Sequence, residues 1–325
     1  MDKQRLIQAI EQFKNKKIAV VGDVALDKYI FGKIERVNPE NPAAPLIKIE
    51  RKEFRLGCAG NVALNIGSLG SDVSLGCVIG HDHNGSLFEN LCMNKKINLL
   101  HIKDGETIVK ERTIESEFNK YLLRVDDGES ILEGINDESS NKLFDLLLKA
   151  EVDALILSDY NKFIFKNGLG KKLIEWAREK NLLVVVDPKP INAISFSGAS
   201  VLCPNIKEAR EITEMNNENE MEVAKRLREI VKSKYVIVTC GKKGMVCYDG
   251  KEFTEIPTKV REVVDVTGAG DTVSAVLTLA LTSGLSLIEA AHLANYAAGI
   301  VVEKLGTSTL TKEELIARIE SDDKL

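Results

Sequence analysis

The 325-residue sequence lacks the patterns that identify several protein classes. Its six cysteines form no C-x-x-C pair and have no close histidine partner, so we expect buried free thiols rather than a zinc site or disulfides. No apolar run is long enough to cross a bilayer, and segment 1–13 is charged rather than signal-like. No lysine- and arginine-rich block stands out, and the net charge is −5. We therefore expect a cytoplasmic protein that binds neither nucleic acid nor membranes.

What the sequence does contain is a regular alternation of two kinds of segment. Short apolar runs such as 18–24, 73–79 and 154–158 alternate with amphipathic, helix-like stretches. This order predicts an α/β fold with a mostly parallel sheet covered by helices on both faces, in one domain over residues 1–325. Ligands of such sheets bind at the carboxyl ends of the strands. The polar residues that follow apolar runs are therefore expected around one cleft: Asp23, Asp159, Asp187 and Asn205.

Two stretches interrupt the alternation. Segment 29–55 contains three prolines and then a β-like run at 46–49, and segment 107–125 alternates apolar and polar residues. Alternation with a period of two is typical of a half-exposed strand pair. The pattern by itself indicates a β-rich excursion from the main fold.

The run D-V-T-G-A-G-D at 265–271, followed by an apolar helical stretch, indicates phosphoryl-transfer chemistry. Small residues in a turn that opens a helix leave unpaired amides at Gly268, Ala269 and Gly270, which can bind an anion. Asp271 can serve as the general base that takes a proton from the acceptor hydroxyl. The alternative interpretation is an ordinary loop-to-helix junction with an acidic residue in the first turn.

This run resembles the D-T-x-G-A-G-D signature of the ribokinase-like (PfkB) sugar kinases, with Val266 where many members have Thr. The segment G-C-A-G-N at 57–61 resembles the family's N-terminal G-G-x-x-N signature, about two hundred residues earlier. The resemblance implies a three-layer α/β/α sandwich with a small β-sheet lid formed by segments 29–55 and 107–125. It also implies ATP as phosphoryl donor, Mg²⁺, and a homodimer formed through the lid.

One branch of the family is most similar, the bacterial heptose 7-phosphate kinases. The resemblance lies in four dispersed segments, 22–27, 36–42, 157–160 and 304–309. It implies phosphorylation of D-glycero-β-D-manno-heptose 7-phosphate at the anomeric hydroxyl, in ADP-heptose biosynthesis. The fused nucleotidyltransferase motif H-x-G-H of many relatives is absent, so a separate heptose 1-phosphate adenylyltransferase is expected. The alternatives are a kinase of another sugar or sugar phosphate, such as ribose or fructose, and a catalytically silent sugar or nucleotide sensor, which would not need Asp271.

The family resemblance also assigns a nucleotide site in the last third of the chain. P-N-I-K-E at 204–208 resembles the family's N-x-x-E motif, whose Glu orders Mg²⁺, usually through water; Glu208 holds that position. A helix start with Glu in its first turn is the alternative. No Walker A loop is present. The residues expected to bind ATP are Asn205, Ile206, Lys207, Glu208, Thr239, Gly241, Gly244 and Asn295.

The sugar end is expected to combine hydroxyl-binding and phosphate-binding side chains. Lys110 and Arg124 of the lid are candidates for the substrate phosphate, because an anion needs cationic partners. The alternative is that Lys110 and Arg124 are ordinary exposed charges of a lid strand, with no role in binding. Cys58 and Phe163 depart from the family pattern at positions that shape the sugar pocket. The residues expected to bind the substrate are Asp23, Asp27, Gly57, Asn61, Lys110, Arg124 and Asp159.

Overall fold

A computed structural model of the chain describes residues 2–128, 136–162, 164–260 and 262–322, so Phe163 lies outside the described residues. The strands in these ranges are β1 (Lys17–Gly22), β2 (Val24–Val37), β3 (Pro45–Cys58), β4 (Asp72–Ile79), β5 (Asn98–Lys103), β6 (Val109–Glu115), β7 (Lys120–Asp127), β8 (Ala154–Ser158), β9 (Leu183–Asp187), β10 (Val201–Leu202), β11 (Tyr235–Thr239), β12 (Met245–Tyr248) and β13 (Phe253–Ile256). The α-helices are α1 (Lys3–Glu11), α2 (Ala59–Ser68), α3 (His83–Asn94), α4 (Asp137–Leu148), α5 (Leu169–Glu179), α6 (Ile206–Thr213), α7 (Glu220–Val231), α8 (Ala269–Thr282), α9 (Leu287–Val301) and α10 (Lys312–Glu320).

Nine of the described strands form the central sheet, in the order β13-β12-β11-β10-β9-β8-β1-β4-β5. From β11 to β5 all neighbours are parallel, and β12 and β13 add an antiparallel edge. Strand β1 shows why these runs are apolar throughout. Ile18 and Val20 enter the core on one face, whereas Ala19 and Val21 enter the core on the other. The predicted mostly parallel sheet is confirmed.

Helices cover both faces of this sheet and complete three layers. One core takes its helical residues from α1, α2, α3, α8, α9 and α10, and the other takes them from α4, α5, α6 and α7. Most helices bury one face against the sheet, whereas α8 is buried at every position from Asp271 to Ala280, and the strands between the helices are apolar on both faces. None of the helices in the described ranges has the length and apolar character needed to span a bilayer. All six cysteines are free thiols, five buried and Cys240 half-buried.

Strands β3, β2, β6 and β7 form a second, smaller sheet in that order. It contains both interrupting segments but is longer than they are, because Val24 to Lys28 already pair with Phe54 to Cys58. Strand β2 is buried from Val24 to Gly32, apart from half-buried Lys28, and exposed from Lys33 to Val37. The second sheet therefore packs on the main body at its base and projects into solvent at its far end.

Candidate active site

Asp271 lies in the first turn of α8, at the carboxyl end of the central sheet. The helix is preceded by Gly268 in the left-handed conformation, with φ of 81°. A Cβ at position 268 would lie 2.6 Å from the Nδ2 atom of Asn61, so a glycine is required at this close approach. The turn residues 267–269 are half-buried and Gly270 is exposed, whereas Asp271 itself is only 3 % exposed. Asp271 is thus a sheltered carboxylate beside the turn, but the Ala269 amide donates to the Val266 carbonyl at 3.2 Å, so the prediction of an unpaired amide is wrong at Ala269.

Two donors hold the carboxylate of Asp271. Asn61 donates from Nδ2 to Oδ2 at 2.7 Å, and the Tyr160 hydroxyl donates to Oδ1 at 2.5 Å. Burial raises the pKa of Asp271 to about 6, against the two hydrogen bonds, which favour the ionised form. Asp271 is therefore mostly ionised at pH 7 and can accept a proton. Sequence reasoning assigned Asn61 but gave Tyr160 no role, although Tyr160 belongs to the resembling segment 157–160.

Asp265, at the start of the same turn, holds the turn in place and ties it to the second sheet. Its Oδ1 atom accepts from the Thr267 amide at 2.9 Å and from the Thr267 hydroxyl at 2.6 Å. Its Oδ2 atom accepts from the Gly306 amide at 2.9 Å and from the hydroxyl of Tyr121, in β7, at 2.8 Å. One carboxylate therefore connects the anion-binding turn, the loop after α9 and the edge of the second sheet.

A cavity of about 160 Å³ adjoins Asp271 and the turn. Its other walls include Tyr160, Asp187, Lys189 and Glu208. Burial raises the pKa of Asp187 well above its usual range, and the negative charge of Glu208 adds to that effect. Asp187 is the last residue of strand β9. The sequence analysis expected it near the cleft but assigned it no role. The signal that could have found it is its position directly after an apolar run.

Glu208 combines a structural role with a position on this cavity. Its Oε2 atom accepts from the Asn205 amide at 3.0 Å, and the Asn205 side chain accepts from the amides of the first turn of α6. This is a capping box, the helix-start geometry that was the alternative interpretation. The Oε1 atom pairs with the Nζ atom of Lys189 at 2.5 Å.

The donors around the cavity suit a magnesium ion. Asp187 and Glu208 present carboxylate oxygens, which are the ligands that Mg²⁺ prefers. Among the described residues no three metal-ligating side chains cluster closely enough to hold an ion alone. Mg²⁺ usually keeps several waters and binds through one or two carboxylates plus phosphate oxygens, so two carboxylates beside the anion-binding turn are a sufficient protein contribution.

A larger cavity of about 460 Å³ lies on the other side of the turn. Thr239, Gly241, Gly244 and Asn295 all line it, so four of the predicted ATP-binding residues meet there. The remaining walls are mostly apolar and include Val260, Val263, Val266, Ala269, Val273, Ala298 and Val302. An apolar cavity next to an anion-binding turn suits a nucleobase next to its phosphates.

The predicted ATP-binding residues separate into three groups in the structure. Asn205 and Glu208 face the smaller cavity, and Thr239 lines both cavities. Ile206 packs against the core, and exposed Lys207 lines neither cavity. Asn295 donates to the carbonyl of Pro257 at 2.7 Å, which fixes the chain beyond β13.

At the sugar end, Asp27 forms a buried ion pair that the sequence analysis missed. The Arg112 guanidinium donates to its Oδ1 atom at 2.8 Å, and their side chains are 9 % and 3 % exposed. Gly57 faces this pair, because a Cβ there would lie 2.8 Å from the carboxyl carbon of Asp27. Arg112 stands two residues after Lys110, so strand periodicity places both on one face of β6. That periodicity is the signal that could have identified Arg112.

Lys110 and Arg124 differ in environment. Lys110 is buried, with its Nζ atom 3.1 Å from the Sγ atom of Cys58 and 5.3 Å from the centre of the Tyr160 ring. Arg124 is exposed and makes two bonds of 2.7 Å to Asp126. In the sheet register Arg124 is opposite Arg112, so the cations Lys110, Arg112 and Arg124 share one face.

Asp23 and Asp159, both predicted to bind the sugar, use their oxygens to hold loops. Asp23 accepts from the amides of Tyr160, Lys162 and Ile164 at 2.9 to 3.1 Å. Asp159 accepts from the amides of Asn161 and Lys189 and from the side chain of Asn192. Their contact with sugar stays a prediction, whereas their support of the loop that carries Tyr160 is a property of the fold.

The comparisons with known proteins agree with this geometry. Residues 15–314 match the family described as pfkB family carbohydrate kinase. The chain belongs to this family. The kinase is 40 % identical over 320 residues to the bifunctional protein HldE of Haemophilus influenzae strain PittEE, covering 95 % of this chain and 65 % of that protein. It is 36 % identical over 308 residues to HldE of Geobacter sulfurreducens, covering 92 % and 62 %. The kinase thus spans less than two thirds of the length of these relatives.

Solved structures confirm the ribokinase-like fold. Phosphofructokinase-2 from Escherichia coli has a TM-score of 0.79 at 17 % identity, covering 94 % of this chain and 99 % of that chain. Ribokinase from Thermotoga maritima has a TM-score of 0.72 at 21 % identity, covering 94 % and 100 %. The predicted family, fold and enzyme class are therefore confirmed, and the chain is a sugar kinase. Membership of this kinase family implies ATP as the phosphoryl donor.

Proposed function

We propose that this kinase transfers the γ-phosphoryl group of ATP to the anomeric hydroxyl of D-glycero-β-D-manno-heptose 7-phosphate, giving the 1,7-bisphosphate for ADP-heptose synthesis. The observation that carries the proposal is the shared face of Lys110, Arg112 and Arg124 at the sugar end. Asp27 and Asp126 pair with the two arginines, so three cations stand against two carboxylates, and the remaining positive charge suits a substrate that already bears a phosphate. The similarity to proteins named HldE over 95 % of the chain supports the same substrate class.

In the proposed reaction Asp271 takes the proton of the attacking hydroxyl. The carboxylate is ionised near neutral pH, and Asn61 and Tyr160 fix its orientation through hydrogen bonds. The amides of Gly268 and Gly270, at the N-terminus of α8, stabilise the negative charge of the phosphoryl group in transit. The low exposure of Asp271 limits the access of bulk water to the base.

Asp187 and Glu208 would hold a Mg²⁺ ion, directly or through water, beside the phosphates. When bound, the ion supplies positive charge that neutralises the triphosphate. Lys189 pairs with Glu208 and lies 5.4 Å from the centre of the Tyr160 ring, so its charge also faces this region. The residues of the chain and the ion together would surround the transferred group with positive charge.

The second sheet is proposed to act as a lid and as the contact between two copies of the chain. Its far end and edge expose a set of large apolar side chains: Ile34, Val37, Ile49, Phe118, Tyr121, Leu122, Leu123 and Val125. Apolar patches of this kind mark interaction surfaces. A dimer in light-scattering measurements, and amide-exchange protection of segments 29–55 and 107–125 on sugar phosphate binding, would support both roles. A monomer with unchanged exchange would reject them.

Turnover of a panel of sugars with ATP and Mg²⁺ tests the substrate. We expect kcat/KM for the heptose 7-phosphate to exceed that for ribose, fructose and unphosphorylated heptose by at least about a hundredfold, which corresponds to roughly 2.7 kcal/mol. Phosphorus NMR of the product would locate the new phosphate at C1. Preference for an unphosphorylated sugar would overturn the assignment and leave the kinase class intact.

A second candidate, another sugar phosphate, is favoured by one observation. Cys58 places a side chain where the family signature has glycine, within the sugar end of the site. Adding fructose and ribose phosphates to the panel distinguishes the candidates, because the second candidate predicts that one of them is turned over faster than the heptose 7-phosphate.

A further inference from the structure

Cys58 has a backbone conformation that L-residues rarely adopt. Its φ is 55° and its ψ is −131°, a region populated almost exclusively by glycine. Glycine also stands at this position in the family signature that segment 57–61 resembles. A cysteine at this position lowers the stability of the folded protein relative to glycine. Such backbone strain persists where the surrounding structure imposes it.

The local structure gives no compensating reason for the cysteine. Cys58 ends β3 and is the N-cap residue of α2, yet its side chain makes no capping hydrogen bond. Serine, threonine, aspartate, asparagine and glycine are the residues favoured at an N-cap. Neither the conformation nor the cap therefore explains the side chain.

The side chain packs with Ala25, Ile108 and Tyr160, and its polar contact is with Lys110. The two atoms, Sγ of Cys58 and Nζ of Lys110, are 3.1 Å apart, and both residues are buried. Within the described ranges, no carboxylate lies within ion-pair distance of Lys110. Asp27 and Asp126 stand opposite Lys110 in the sheet register but pair with Arg112 and Arg124, so the donors of this buried ammonium need other partners. The thiol supplies one acceptor, and the ring of Tyr160 faces the same ammonium.

We propose that Cys58 is a positioning residue: its thiol accepts a hydrogen bond from Lys110 and holds the ammonium at the sugar end of the active site, as a partner for the substrate's phosphate. The inference rests on the proposed function, since it assumes a phosphorylated sugar. The strained backbone is then retained because the side chain at position 58 brings an acceptor to Lys110. Cys58 thereby connects the rigid start of α2 to strand β6 of the second sheet.

The test uses three replacements of Cys58 and a matched control. Cys58→Ala and Cys58→Gly remove the acceptor, and we expect both to raise KM for the sugar phosphate about tenfold while kcat changes less than about twofold. Cys58→Ser restores an acceptor and should recover most of the loss. Cys92→Ala deletes an equally buried thiol from α3 and should leave KM unchanged.

A double-mutant cycle isolates the contact itself. In a Lys110→Met background, Cys58→Ala should change KM by less than about twofold, because the partner is already absent. An undiminished tenfold effect in that background would show that the thiol acts independently of Lys110 and would overturn the proposal.

Thermal unfolding separates this inference from the proposed function. Cys58→Gly should unfold at a higher temperature than Cys58→Ala, because only glycine relieves the backbone strain. The unfolding midpoints of Cys58→Ala, Lys110→Met and the double variant should be non-additive. Additive midpoints would reject the contact whatever the substrate is. Non-additive midpoints in an enzyme that prefers an unphosphorylated sugar would reject the substrate assignment and retain the Cys58–Lys110 contact.

Discussion

The proposed nucleotide end and the proposed sugar end of this candidate active site differ in the groups that form them. The nucleotide cavity of about 460 Å³ is formed mostly by backbone, small residues and apolar side chains around Gly241, Gly244 and Ala269. The sugar end depends on buried charged side chains, chiefly the Asp27–Arg112 ion pair and the Lys110–Cys58 contact. The nucleotide end therefore uses main-chain geometry that many sequences can supply. The sugar end depends on particular pairs that fail when one member changes.

The largest effect is expected at the point where the two ends meet. Asp271→Asn should lower kcat about a thousandfold, because a general base acts in the transition state. The affinity for ATP, measured by calorimetry, should change less than about threefold, because the Asn oxygen can still accept from Asn61 while its NH2 group can donate to the Tyr160 hydroxyl. Asp72→Asn, an exposed carboxylate in β4, serves as control and should leave both quantities unchanged. A near-normal kcat in Asp271→Asn would remove this residue from the mechanism.

The next effect distinguishes the two ends directly. Arg112→Ala leaves Asp27 buried without its counter-ion, so we expect the free energy of unfolding to fall by about 3 kcal/mol. KM for the sugar phosphate should rise at least about thirtyfold, while KM for ATP stays within about twofold. Denaturant unfolding and steady-state kinetics measure the two results.

Adding Asp27→Asn to Arg112→Ala gives the matched control for this prediction. Removal of both charges should cost less stability than the sum of the single changes, since no buried charge then lacks a partner. If Arg112→Ala raised KM for ATP as much as KM for the sugar phosphate, the two ends of the site would not act independently.

A smaller effect is expected for Glu208→Gln at the nucleotide end. Glutamine can still accept from the Asn205 amide, so the capping box of α6 is kept while the negative charge is lost. The Mg²⁺ concentration for half-maximal activity should rise about tenfold, because one of two carboxylates has been neutralised. Lys189→Met removes the ion pair but keeps the carboxylate, and it should not raise the Mg²⁺ requirement. A magnesium titration of Glu208→Gln that matches wild type would contradict the metal role.

The smallest effect concerns pH. The Tyr160 hydroxyl stabilises the ionised form of Asp271, whose pKa is raised to about 6, mainly by burial. Tyr160→Phe should raise the pKa of Asp271 by a further half unit to one unit, about the effect of one lost hydrogen bond. The fall in kcat/KM on acidification should therefore begin at a pH that is higher by the same amount. Asp23, whose pKa burial also raises to about 6, bonds to the main-chain amide of Tyr160 and should be unaffected. If the acidic side of the pH profile of kcat/KM is unchanged, Tyr160 does not influence the pKa of Asp271.

The same contrast explains which features could be predicted from sequence. The turn at 268–270, the capping residues Asn205 and Glu208, and the apolar strands are encoded by consecutive residues, so local patterns predicted them. The alternation of segments also predicted the order of layers. These features assemble the nucleotide end, and four of its predicted residues meet at one cavity.

The sugar end was less predictable because its contacts join residues far apart in sequence. Arg112 meets Asp27 only through the parallel register of β2 and β6, and Tyr160 reaches Asp271 across 111 positions. No local pattern specifies which strand lies beside which. Asp23 and Asp159 resembled hydroxyl ligands because they follow apolar runs, but that position also suits carboxylates that hold a loop.

The connection that Asp265 makes has a consequence for exchanging parts between kinases. Its Oδ2 atom accepts from Tyr121 of the second sheet and from Gly306, while its Oδ1 atom holds the turn that precedes Asp271. The second sheet is therefore not an independent module. A chimera that takes β7 from another sugar kinase would keep the turn before Asp271 intact only if positions 121 and 265 were exchanged together. At this pair, substrate specificity and catalysis would therefore be exchanged as one unit.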